Sequence, residues 1–73
     1  MNLSNGWFQS FNFERSDLKE ADFSNSDLRD ANLFGADLTG ANLTGANLTR
    51  AWYGEATVFP DDFDPVKVGM FKV

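Results

Sequence analysis

The residues in this chain that could do chemistry are its carboxylates. Asp17, Asp22, Asp27 and Asp37 each stand directly before a large apolar residue. Two carboxylates sharing a cleft could divide acid and base roles. Here they recur at steps of five or ten and never cluster. A carboxylate so placed is expected to face solvent and to bond neighbouring backbone donors. No histidine or cysteine is present, which removes the commonest general base and any thiolate nucleophile or ligand. Gly35, Gly40 and Gly45 form a regular series, but they lack the strand–loop–helix setting of a phosphate-binding loop. These residues assemble no nucleophile, base and orienter, so the chain is expected not to be an enzyme and to carry no cofactor or metal.

The elements that position these residues are written as a repeat. From Ala31 to Arg50 the chain reads Ala-Asn-Leu-Phe-Gly, Ala-Asp-Leu-Thr-Gly, Ala-Asn-Leu-Thr-Gly, Ala-Asn-Leu-Thr-Arg. A period of five fits neither the helix, at about 3.6 residues, nor the strand, at about 2. Within one unit, however, Ala and Leu lie two apart and leave the same face of an extended backbone. The Asn or Asp between them points outward. The Thr-Gly that follows is turn chemistry. Each unit is therefore a short extended segment and a corner. Such small units bury their apolar side only by stacking turn upon turn.

The large residue falls at Leu3, Phe8, Phe13, Leu18, Phe23, Leu28, Leu33, Leu38, Leu43, Leu48, Tyr53, Val58 and Phe63, with no expected slip. Its small partner is Ser16, Ala21, Ser26, Ala31, Ala36, Ala41, Ala46, Ala51 and Ala56. Regular repeats thus span 16–58. Residues 1–15 read as a degenerate first coil or cap, and 59–73 as a C-terminal cap of one domain.

The tandem Ala-[Asn/Asp]-Leu-x-x resembles the pentapeptide-repeat family. The resemblance covers 16–58 and extends to about 71. There Thr57, Phe59-Pro60, Phe63-Asp64-Pro65 and Gly69-Met70 look like the closing segment of members from photosynthetic bacteria. It implies an all-β fold: a right-handed quadrilateral β-helix of about three coils, four units per coil, closed by a short C-terminal turn or helix. Residues twenty apart would then stack. The columns would be Leu3–Phe23–Leu43, Phe8–Leu28–Leu48, Phe13–Leu33–Tyr53 and Leu18–Leu38–Val58, with Ala21, Ala31, Ala36, Ala41, Ala46 and Ala51 completing the core. Of the carboxylates, Asp17 and Asp37 would stack, and Asn12 with Asn32 and Asp22 with Asn42 would form polar ladders.

Phe11 stands where later coils carry Ala31 and Ala51, and such a ring fits only at an open end. Pro60 and Pro65 stop strand pairing. Asp64-Pro65 could open a single helical turn that sets Val66, Met70 and Phe71 against the last coil.

Phe34 and Trp52 replace polar residues at outward positions and would share one face on adjacent coils. They are the candidate contact patch, either exposed or covered by the tail. The expected role is a non-catalytic structural or interaction module with a protein partner, as a monomer or weak homodimer. The alternative the resemblance offers is an acidic DNA mimic acting on DNA gyrase or another nucleic-acid-binding protein. Net charge is −5, which disfavours direct binding of nucleic acid. No apolar run approaches membrane-spanning length. The opening residues lack a signal-peptide pattern, so the expected compartment is the cytoplasm.

Overall fold

The computed structural model describes all of residues 1–73 as a four-sided coil. Its sides follow from bridges between outward residues twenty apart. The first side carries Asn2, Asp22 and Asn42; the second, Trp7, Asp27 and Asn47; the third, Asn12, Asn32 and Trp52; the fourth, Asp17 and Asp37. All bridges are parallel. Each complete contact between stacked units uses three backbone hydrogen bonds. On the first side Leu3 and Asn5 donate to Asp22 and Ser24 at 2.7 and 2.9 Å, and Asp22 donates back to Met1 at 2.9 Å. The degenerate first coil pairs with the second on all four sides, each bridge joining residues twenty apart.

The corners explain the period. The last residue of a unit takes positive φ: Gly35, Gly40 and Gly45 at 71–73°, and also Ser10, Arg15, Glu20 and Asp30 at 58–63°. One left-handed residue per unit turns the chain through a corner. The next small residue then donates back across the turn, as Ala36 does to Leu33 at 3.1 Å.

Inside lie Leu18, Phe23, Leu28, Leu33, Leu38, Leu48 and Tyr53, with Ala21, Ala31, Ala36, Ala41 and Ala51 between them. Phe8, Phe13, Leu43 and Ala46 are half-buried against this core. Ser26 takes an inward position without waste: its hydroxyl donates to the Leu3 carbonyl at 2.5 Å and accepts from Gly6 N–H at 3.1 Å. Phe11 packs edge-on against Phe8, ring centroids 5.2 Å apart, and beside Phe13 at 5.9 Å. These rings, with Phe23 beneath, close the N-terminal end.

The repeat slips once, contrary to the expected unbroken count. Asp37 pairs with Val58, twenty-one residues on. The corner after Tyr53 starts one residue late: Thr57 donates to Gly54, where an unslipped repeat would have Ala56 donate to Tyr53. Gly54 is the extra residue. Val58 therefore leaves the core column to which the five-residue count assigns it. It occupies the outward Asp17–Asp37 position and is 46% exposed. Phe59 continues the fourth column, half-buried and 5.5 Å from the Tyr53 ring. Thr57, not Ala56, is the inward small residue, and Ala56 is exposed.

No helix forms at the C-terminus. Asp64 accepts from Val66 and Lys67 N–H at 3.0 and 3.2 Å, as at a helix start. Gly69 then turns at φ 86°, and Met70 donates to Pro65. Strand β2 (Phe71–Lys72) pairs in parallel with β1 (Trp52–Tyr53) as a further rung. Of the three residues expected against the coil end, Met70 alone is buried; Val66 and Phe71 are exposed. The turn at 65–69 swings Val66 away while Met70 drops into line above Ala51. No helix is long and apolar enough to cross a membrane.

Candidate interaction surface

The outward polar row is tied down locally. In each unit the Asn or Asp oxygen accepts the backbone N–H two residues on: Asn12 from Glu14, Asp22 from Ser24, Asn32 from Phe34, Asp37 from Thr39, Asn42 from Thr44. This Asx geometry leads the chain into its corner. Asn12 stacks on Asn32, and Asp22 on Asn42, as expected, but no side-chain hydrogen bond links either pair; their oxygens bond within their own unit.

The same bonds set the carboxylates' acidity. The Ser24 hydroxyl and then its amide hold Asp22 below the usual aspartate range. The Thr39 hydroxyl, at 2.6 Å, and its amide do the same for Asp37. Asp27 is lowered chiefly by the Arg29 side chain, which binds it with two hydrogen bonds of 2.9 and 2.6 Å. Arg50 reaches the coil below and bonds Asp30 at 3.0 Å, which raises the arginine. A carboxylate lowered in this way is a poor base at neutral pH. No three carboxylates converge closely enough to hold a metal ion.

The aromatic surface differs from the expected pair. Phe34 is half-buried, its ring lying over Gly54; a Cβ at that glycine would stand 2.5 Å from the ring. Trp52 points outward, 47% exposed, and its ring makes no aromatic contact with Phe34. Its neighbour is Phe71. The β1–β2 register sets the two opposite each other, and Phe71 is 52% exposed. Phe71 had to be missed by counting, since it lies nineteen residues from Trp52, beyond two prolines and a turn. Trp7, alone on the second side, is 83% exposed.

Comparison with known proteins places this geometry. The family model for pentapeptide repeats matches in eight copies, over residues 2–33 and 26–51. No curated protein sequence matches the chain. A pentapeptide repeat protein from Nostoc Pcc 7120, solved by crystallography, is similar at 29% identity and TM-score 0.71, over 99% of this chain and 80% of that one. Another, from the cyanobacterium Cyanothece 51142, is similar at 33% identity and TM-score 0.74, over 80% of this chain and 43% of that one. The four-sided coil is accordingly the right-handed quadrilateral β-helix that these proteins form.

Proposed function

Because this chain belongs to the pentapeptide-repeat family, we propose that it is a non-catalytic protein-interaction module whose contact surface is Trp52 with Phe71. The observation carrying this reading is the parallel register that sets two large, outward rings on adjacent rungs of one rigid side. Aromatic anchors of this kind dominate binding energy at interfaces. Mounted on a hydrogen-bonded rung, they lose little freedom when a partner covers them. The rest of that side is uncharged at its bridge positions, Asn12 and Asn32, so covering it desolvates no unpaired charge.

The double variant Trp52→Ser, Phe71→Ser tests this. Both rings face outward, so the melting temperature should barely move. Capture of protein partners by the immobilised chain should be lost relative to wild type. Equal capture by both forms refutes the assignment. Light scattering should show a monomer, and the variant should scatter identically. The gyrase-mimic alternative gains nothing from the geometry, since Asp27 and Asp30 are each matched by an arginine at 2.6 and 3.0 Å. Inhibition of supercoiling by the purified chain would reverse that judgement.

A further inference from the structure

We propose that the open upper edge of the first side, at Ala41–Gly45, receives an extended peptide carrying a basic residue, added as one more parallel rung. The lower rungs of this side are saturated. Phe23 and Asn25 donate to Asn42 and Thr44 at 2.8 and 2.9 Å, and Asn42 donates to Ala21 at 2.9 Å. One coil higher the equivalent groups are unused. Leu43 N–H, Gly45 N–H and the Ala41 carbonyl have no backbone partner. The chain does return over them as Pro60–Phe63, but it cannot pair there. Pro60 has no N–H, Asp62 turns at φ 63°, and Phe63 donates back to Pro60 at 3.3 Å.

Between the unpaired edge and this returning segment lies a groove of about 270 Å³. Ala41, Leu43 and Phe63 give it an apolar floor, and Asp61 and Asp62 form one lip. Neither carboxylate is in an ion pair. The groove therefore presents the Leu43 donor, the Ala41 acceptor, an apolar strip and unbalanced negative charge, and the unpaired Gly45 N–H continues the edge just beyond it. An edge of this kind is the substrate of β-augmentation. Register fixes the ligand: its central residue faces outward, gives its N–H to Ala41 and its carbonyl to Leu43, and its flanking side chains face in. The chain's own unit meets this need once a lysine replaces the Asn. Phosphate-bearing ligands are excluded by the two carboxylates. A second copy would have to lay its whole first coil across Gly69–Val73, which already pairs with the opposite, third side. This site is separate from the Trp52–Phe71 surface, and either can fail without the other.

The test titrates the isotopically labelled full chain with acetyl-Ala-Lys-Leu-Thr-amide and follows amide resonances. Saturable shifts confined to Leu43, Gly45 and their groove neighbours are expected. N-methylation of the probe's lysine nitrogen should abolish them. Replacing its lysine by glutamate should weaken binding about threefold, given the modest worth of exposed ion pairs. The exposed double variant Asp61→Asn, Asp62→Asn should erase that preference while keeping the shifts. No shift at Leu43 and Gly45 up to the probe's solubility overturns the proposal. So do shifts centred on Trp52 and Phe71, or concentration-dependent shifts without probe that report self-association.

Discussion

The slip at Gly54 makes opposite demands on two adjacent residues, Thr57 and Val58, and so can be tested sharply. The Thr57 hydroxyl accepts from Gly35 N–H at 3.0 Å and Gly54 N–H at 3.1 Å, and donates to the Leu33 carbonyl at 3.0 Å. Thr57→Val keeps the shape and removes all three bonds. Gly54 is buried and its N–H has no other partner, whereas the Leu33 carbonyl keeps the Ala36 N–H and Gly35 is only half-buried. At about 1–3 kcal/mol for a buried group left unsatisfied, a loss of about 1–3 kcal/mol is expected. In a domain of this size that lowers the melting temperature by about 6–18 °C, at roughly 6 °C per kcal/mol. Thr57→Ser retains the hydroxyl and should recover most of it. Val58→Asp, by contrast, restores the residue type of Asp17 and Asp37 at a position 46% exposed, and should change stability by less than about 0.5 kcal/mol. Thermal melts followed by circular dichroism read all three. With an unslipped register the order inverts, because Val58 would be a core residue and Asp there would abolish folding. A tolerated Thr57→Val beside a ruinous Val58→Asp therefore refutes the slip.

Gly54→Ala should cost about 1–3 kcal/mol, since its Cβ would stand 2.5 Å from the Phe34 ring, and adding Phe34→Ala should return part of that loss in a double-mutant cycle. Stability should hold from neutral pH down to the ordinary carboxylate pKa of about 4, then fall as pH drops through the lowered folded values of Asp22, Asp27 and Asp37. Asp27→Asn with Asp37→Asn should flatten that acid limb in pH-dependent melts. Ser10→Gly should stabilise by about 0.5–1 kcal/mol, because Ser10 holds φ 60° and glycine removes the left-handed penalty while giving back part of it in chain entropy. Denaturant midpoints decide that case, and destabilisation would show that the Ser10 side chain matters to its corner.

The inward pair of each unit was legible because its signal is repeated: one Ala-x-Leu means little, while four in phase leave a single geometry. Phe11 was legible for the converse reason, as a ring at a site where mid-stack coils have room for a methyl group. The slip was hidden by chemistry that satisfies both registers. Ala56 and Val58 fit the inward sites by type, and nothing in Tyr53-Gly54-Glu55-Ala56-Thr57 announces an extra residue. What decides between the registers is Thr57, whose hydroxyl repeats the role of Ser26, and the Phe34 ring, which leaves space for a glycine alone. Both are contacts between coils, twenty or more residues apart, and no local pattern encodes them. The same holds for the contact surface: Trp52 was found by its departure from the repeat, but its neighbour Phe71 arrives through the path of the tail.

That path follows from the polarity of the coil's edges. Each side of a complete contact sends two donors up and one down, so the upper edge of the last coil is rich in N–H groups and the lower edge of the first is rich in carbonyls. Such edges invite pairing with other chains unless covered. The tail meets the upper edge unevenly. It takes Arg50 N–H on Gly69 and gives Phe71 and Val73 N–H to Ala51 and Tyr53, which closes the third side. On the first side Pro60 forbids the same solution, and Phe63 covers the apolar column without pairing the backbone. Proline thus ends the ladder and, in ending it, leaves a strand edge that is shielded from a whole second coil yet open to a single thin segment. A solenoid capped by a continuous helix would offer no such edge, so binding at Leu43 and Gly45 depends on the cap leaving the first side unpaired.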